Sequence, residues 1–180
     1  RGSLGKIIDI QSNNLVAALA EKMGAAYKLL NVPDNLSTES FEVLLKEKEI
    51  KDVVDHMRKT QILILGIGRA DKMARRRGLS QEEIDDLIAQ GAVGEAFGTY
   101  FGKNGKIIKK ISSVGICLED FSNVEHVIAA TGGSSKAEAI EAVRLKNENA
   151  VLITDEGAAR NIVTILKSHN LLVLYNINKF

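Results

Sequence analysis

The chain has 180 residues, 45% hydrophobic and 26% charged, which fits one globular domain with a sizeable core and excludes disorder. A net charge of +1 supplies no global field for nucleic acid or an anionic membrane, and no apolar run reaches the roughly 18 residues of a membrane span. A single cysteine, Cys117, excludes an intrachain disulfide framework, and with no signal-peptide pattern the sequence reads as cytoplasmic.

In chain order, Arg1-Gly2-Ser3-Leu4-Gly5 is a glycine-punctuated loop with one cation. Leu15, Val16, Leu19, Ala20 and Met23 recur at helical spacing, and Gly24 suits the end of that helix. Ala26 to Val32 reads as a strand closed by Pro33-Asp34-Asn35. Ser37 and Ser40 compete to cap the next helix, and Lys46 to Arg58 follows as a charged helix. Gln61 to Leu65 is a continuous apolar run ending in Gly66-Ile67-Gly68, the pattern of a parallel strand buried on both faces. Helices are expected over Ala70 to Arg76 and Ser80 to Ala89, the second opened by a Ser80…Glu83 capping box. Gly91 to Gly98 reads as a glycine-rich turn with one acid, Glu95, and Thr99 to Ile111 as a hairpin around Asn104-Gly105. Val114 to Leu118 and Glu125 to Ala130 read as strands bracketing an acidic turn at Glu119-Asp120. A helix runs from Ser134 to about Asn147, then a strand at Val151 to Thr154 and a helix through Lys167. Leu171 to Tyr175 is apolar and strand-like.

Strands alternating with helices predict an α/β fold with a mainly parallel sheet, whose ligands bind beyond the carboxyl ends of the strands. The chain is organised around Thr131-Gly132-Gly133-Ser134-Ser135-Lys136, set between an apolar strand and an Ala-rich helix. One reading is a helix capped by Ser134 or Ser135. The other is a phosphate site, where free backbone N–H groups, two hydroxyls and a lysine meet an anion. Four turns gather at one sheet edge: Arg1 to Gly5, Gly66 to Arg69, Gly91 to Gly98 and Thr131 to Lys136. Their convergence favours the phosphate reading. His56, His126, His169 and Cys117 share no metal-ligand spacing, and nothing singles out Asp9, Asp71 or Asp155 for magnesium. No metal or cofactor is therefore expected, and no nucleophile motif is present.

Five segments in order, RGSLG (Arg1 to Gly5), GIGRADKMARRR (Gly66 to Arg77), EAFGTYF (Glu95 to Phe101), GGSSKAEAI (Gly132 to Ile140) and VLITDEGAA (Val151 to Ala159), resemble the effector-binding domain of SorC-type (DeoR-like) sugar-sensing transcriptional regulators. The resemblance implies a Rossmann-like sheet with flanking helices, akin to sugar-phosphate isomerases and CoA-transferases. It implies that residues 1–180 are the C-terminal portion of one effector-binding domain. The winged-helix DNA-binding domain and a Thr-Gly-Gly-Thr-Thr phosphate loop would lie before Arg1. The implied effector is a phosphorylated sugar such as fructose-1,6-bisphosphate. The implied partners are operator DNA, through the absent domain, and further copies in a homodimer or homotetramer, with no membrane.

Residue by residue, the resemblance assigns Arg1 to the ligand loop, with Gly2, Ser3, Leu4 and Gly5 offering backbone N–H groups; Ser3 stands where glycine is commoner. Gln11 would face the sugar, Arg76 would reach a phosphate, and Glu95 would accept from sugar hydroxyls. Gly133, Ser134, Ser135 and Lys136 would hold a phosphate at the helix start. Arg75 and Arg77 are expected to be surface charges, because three consecutive helical residues cannot share a face. Arg76 could equally face solvent, and Glu95 could serve a helix dipole. The rival class is an isomerase-like enzyme with Glu95 as base, although no second acid/base partner is visible.

Overall fold

The structure is a computed structural model that describes residues 12–32, 36–111, 115, 116, 118–121, 123–144 and 150–168. Helix α1 (Ser12–Met23) ends at Gly24, whose φ of +62° lies in the left-handed region that glycine tolerates. Ala26 to Val32, expected as a strand, joins no ladder among the described residues. Leu30 and Val32 are nevertheless buried and cluster with Val54, whereas Ala26, Tyr27 and Lys28 are exposed. Ser37 caps α2 (Thr38–Leu44) by accepting from the Ser40 amide, and α3 (Lys48–Met57) follows.

Two sheets make the centre. The parallel one has strand order β1-β6-β7, from β1 (Ile62–Leu65), β6 (His126–Ala130) and β7 (Val151–Ile153). The antiparallel one runs β2-β3-β4-β5, from β2 (Gly68–Arg69), β3 (Ala92–Ala96), β4 (Thr99–Gly102) and β5 (Ile107–Lys110). The segment read as a glycine-rich turn is therefore largely strand β3, and positive φ is confined to its ends, at Gly91 and at Phe97-Gly98. The expected hairpin forms as β4 and β5, with Gly105 at φ +72° in its turn. The capping box forms as read, with Ser80 and Glu83 bonding each other's backbone at the start of α5 (Gln81–Ala89). Before it, α4 spans Ala70–Arg76. Leu118 to Phe121 is a helix, α6, so the acidic pair expected in a turn belongs to that helix. Cys117 and Leu171 to Tyr175 lie outside the described residues.

Helix α7 (Ala137–Arg144) is the element wedged between the two sheets. Ala139, Ala142 and Val143 pack with Ala129, Ile67, Ala96 and Phe101, while Ala137 and Ile140 face Ala158, Ile162 and Leu166 of α8 (Glu156–Ser168). A helix buried on two sides must be small there. Gly94 of β3 has the same constraint, because a Cβ on it would stand 2.9 Å from the Ala139 Cα and carbonyl oxygen. Helices α4 and α5 cover the other face of the antiparallel sheet, with Ala70, Ala74, Ile84 and Leu87 around Tyr100.

The parallel sheet departs from one expectation. Only one of its faces is covered among the described residues: Ile62 and Ile64 of β1 are 58% and 56% exposed, and Val151 and Ile153 of β7 are 57% and 58% exposed. Their alternate neighbours Leu63 and Leu65 are half-buried, and Val127 is buried. A continuous apolar run does not tell one covered face from two.

Candidate functional site

Beyond the carboxyl ends of β1, β6 and β7, the three connecting segments are tied together at Thr131. Its amide donates to the Ile153 carbonyl at 3.0 Å, and its hydroxyl donates to the Ile67 carbonyl at 3.0 Å. The Lys136 ammonium donates back to the same hydroxyl oxygen at 3.3 Å. Two residues on, the Gly133 amide donates to one oxygen of the Asp155 carboxylate, while the other oxygen accepts from the Ala158 amide at 2.8 Å and so caps α8. These bonds, from Ala158 first and then Gly133, hold the Asp155 carboxyl below its ordinary range, and the Lys136 charge acts in the same direction.

The glycine turn decides between the two readings of the serines. Gly133 stands at the N-cap of a short 3-10 turn (Ser134–Lys136) with φ +107°, and no side chain caps that turn. Neither serine is therefore a cap. Both are exposed, and they line an open cleft of about 350 Å³ with Glu138, Asn161 and Thr164. Asn161 donates to the Ser134 carbonyl at 3.0 Å, which pins the turn to α8. Among the described residues no carboxylate lies within ion-pair reach of Lys136 Nζ. An edge with two open hydroxyls and a cation of this kind can take an anionic oxygen.

Glu95 lies in the antiparallel sheet, directly opposite Gly68, one residue past the Ile67 whose carbonyl Thr131 holds. The backbone of β3 at Glu95 is thus linked to the Thr131 hub through two consecutive residues, while the Glu95 carboxylate itself meets Arg77 and the Gly98 turn. It is buried, and its Oε1 accepts from Arg77 Nη2 at 2.9 Å and from the Gly98 amide at 2.7 Å. Arg77 corrects the sequence reading. Expected at the surface, its side chain is 1% exposed, whereas Arg75 and Arg76 on the last turn of α4 are exposed. The spacing carries the signal, because Ala70, Ala74 and Arg77 follow i, i+4, i+7 along one buried face. Arg1, Gly2, Ser3, Leu4, Gly5 and Gln11 lie outside the described residues.

Thr131 opens the glycine-rich stretch and Asp155 lies in VLITDEGAA, but the motifs assign neither of them a role. The usable signal was position, since each is the first or second polar residue after an apolar strand. At the base of α4, Asp71 is paired with Arg69 through two bonds, of 3.0 and 2.9 Å. Burial is the largest single influence and raises the Asp71 carboxyl, but the Arg69 bonds, the Lys72 amide and the Arg69 and Arg75 charges together outweigh it, and the net shift is downward. Among the described residues no group of three or more His, Cys, Asp or Glu is placed to hold a metal ion.

This architecture, a parallel sheet with a glycine-rich turn and helix start at its carboxyl edge, defines a small-ligand-binding α/β domain. The Sugar-bind model of sugar-binding domains matches residues 1–164, and the chain belongs to that family. It is 42% identical over 163 residues to the central glycolytic genes regulator of Bacillus subtilis, across 91% of this chain and 48% of that protein. It is 43% identical to the protein of the same name from Priestia megaterium, with the same coverage. The crystal structure of a SorC family transcriptional regulator from Enterococcus faecalis superposes with a TM-score of 0.81 at 37% identity, covering 91% of this chain and 66% of that one. The chain thus spans about half the length of the curated relatives it matches. No helix among the described residues is long and apolar enough to cross a membrane.

Proposed function

We propose that these residues are the C-terminal portion of the effector-binding domain of a bacterial transcriptional repressor, which senses a phosphorylated sugar such as fructose-1,6-bisphosphate. In this reading the complete protein also carries a DNA-binding domain, and ligand binding shifts an oligomer between operator-bound and released states. Such a shift requires different affinity for the ligand in the two states. The observation that carries the reading is the Thr131 to Lys136 edge. There an ammonium without a carboxylate partner among the described residues is held on the Thr131 hydroxyl at the carboxyl end of a parallel sheet, and the neighbouring Ser134 and Ser135 are exposed along an open cleft. Gly133, Ser134, Ser135 and Lys136 then take one phosphate, and Glu95 accepts from sugar hydroxyls. Arg1, the Gly2 to Gly5 backbone, Gln11 and Arg76 complete the ligand's surroundings.

The rival isomerase reading has less support. Proton transfer between adjacent carbons is helped by a second acid/base group, and the described histidines do not supply it. His126 opens β6, at the end of the sheet away from the glycine turn, and His56 lies on α3. Calorimetry on the complete regulator tests the proposal. Fructose-1,6-bisphosphate should bind, and Lys136→Ala should weaken it by about tenfold or more, the scale of a lost charge-assisted contact. Unchanged affinity in that variant refutes the phosphate role of the edge.

A further inference from the structure

The Arg77–Glu95 pair is difficult to explain as a stabilising device. Both side chains are buried, at 1% and 2% exposure, and only Nη2 of the guanidinium reaches the carboxylate. Nε and Nη1 are buried and have no hydrogen-bond partner among the described residues. A buried guanidinium with two of its three nitrogens unsatisfied carries a desolvation cost that one ion pair does not clearly repay. Apolar residues of similar volume would often hold such a junction as well or better. Buried groups kept at this cost point to a role in orienting something.

What is oriented here is the Glu95 carboxylate. Two donors converge on a single oxygen, Oε1: Arg77 Nη2 from the end of α4 and the Gly98 amide from the turn after β3. Arg77 is itself fixed, since its amide donates to the Met73 and Ala74 carbonyls at the end of α4. Two donors from separate elements on one oxygen set both the position and the rotation of the carboxyl group. The Glu95 backbone in turn pairs with Gly68, the residue that follows the Ile67 whose carbonyl Thr131 holds. We infer that Arg77 is a positioning residue that orients Glu95 toward ligand hydroxyls, so that the site prefers a polyhydroxylated phosphate ester to a bare phosphate anion. The inference rests on the reading of Glu95 as the hydroxyl acceptor.

The test compares two probes on the complete regulator by calorimetry: fructose-1,6-bisphosphate, which has hydroxyls, and inorganic pyrophosphate, which has none. Arg77→Met, close in volume and without charge, should weaken the sugar bisphosphate by about tenfold or more and leave pyrophosphate within about twofold. Arg77→Lys, which keeps the charge but loses the planar fork, should fall between wild type and Arg77→Met for the sugar alone. If Arg77 acts through Glu95, the double variant with Glu95→Gln should bind the sugar no worse than Glu95→Gln does. A purely structural arginine would weaken both probes equally or give additive losses, and either result overturns the inference. Should Arg77→Met fail to fold, the same comparison is made with Arg77→Lys, where an unchanged preference between the two probes overturns it. A wild-type protein that binds neither probe instead overturns the reading of the site itself.

Discussion

Thr131 donates its hydroxyl to the carbonyl of Ile67 at 3.0 Å, joining residues 64 positions apart across the carboxyl edge of the sheet. The same oxygen receives the Lys136 ammonium, so one buried hydroxyl both satisfies a strand-end carbonyl and locates the site's cation. Thr131→Val keeps the shape and removes both bonds. It should cost about 1–2 kcal/mol, the penalty for stranding a buried carbonyl, while Thr131→Ser should retain most of the stability. Urea denaturation of the three proteins decides, and equal midpoints would show that the hydroxyl is dispensable.

Acid should act on this edge through Asp155. Its folded-state pKa is lowered from 3.8, first by the Ala158 amide and then by the Gly133 amide. A lowered pKa means that the ionised carboxylate is the form the fold prefers. Its contribution is complete above the unfolded value and disappears as the pH falls through the folded one. Glu39 and Glu83, lowered from 4.5 first by backbone hydrogen bonds at their helix starts, change stability with pH in the same direction. Asp155→Asn should therefore be less stable than wild type at about pH 6, and the gap should narrow as the pH falls below the ordinary carboxylate range. Urea midpoints across that range measure it, and a gap independent of pH would mean that the carboxylate's charge plays no part.

The glycine turn, the capping box at Ser80 and the hairpin at Asn104-Gly105 were legible because each depends on neighbours in the chain. Arg77 was not, because its burial depends on Glu95, 18 residues away, and a run of three arginines reads locally as a solvated surface. Strand β3 was hidden for a related reason. Gly94 is glycine because α7 crosses it closely, a packing demand that resembles a turn when seen in sequence alone.

The exposed face of the parallel sheet gives a contrast in magnitude. Ile64 is 56% exposed on β1, whereas Ile140 on α7 is 1% exposed and packs against α8. Ile140→Ala should cost about 2–5 kcal/mol, from lost transfer energy and the cavity left behind. Ile64→Thr keeps the β-branched shape on a half-open surface and should stay within about 1 kcal/mol of wild type. Thermal melts of both variants measure the difference, and comparable losses would mean that the Ile64 face is covered as tightly as the α7 core.

Phe97 holds φ +55°, a left-handed conformation that costs a non-glycine residue about 1 kcal/mol. It is followed by Gly98 at φ +75°, and the pair forms the two-residue turn between β3 and β4, where positive φ is required at both positions. The strain is tolerated because the ring is used. Its centroid lies 5.3 Å from that of Phe121 at a tilt of 50°, and it packs against the cluster that includes Phe101 and Ala139. An aromatic contact contributes about 0.5–1.5 kcal/mol beyond the apolar area buried, so packing outweighs the turn penalty. Phe97→Asn should relieve the backbone and still destabilise the fold, whereas Phe97→Gly should lose somewhat more through added chain entropy. A Phe97→Asn protein that melts above wild type would show that the turn, and not the ring, governs this position.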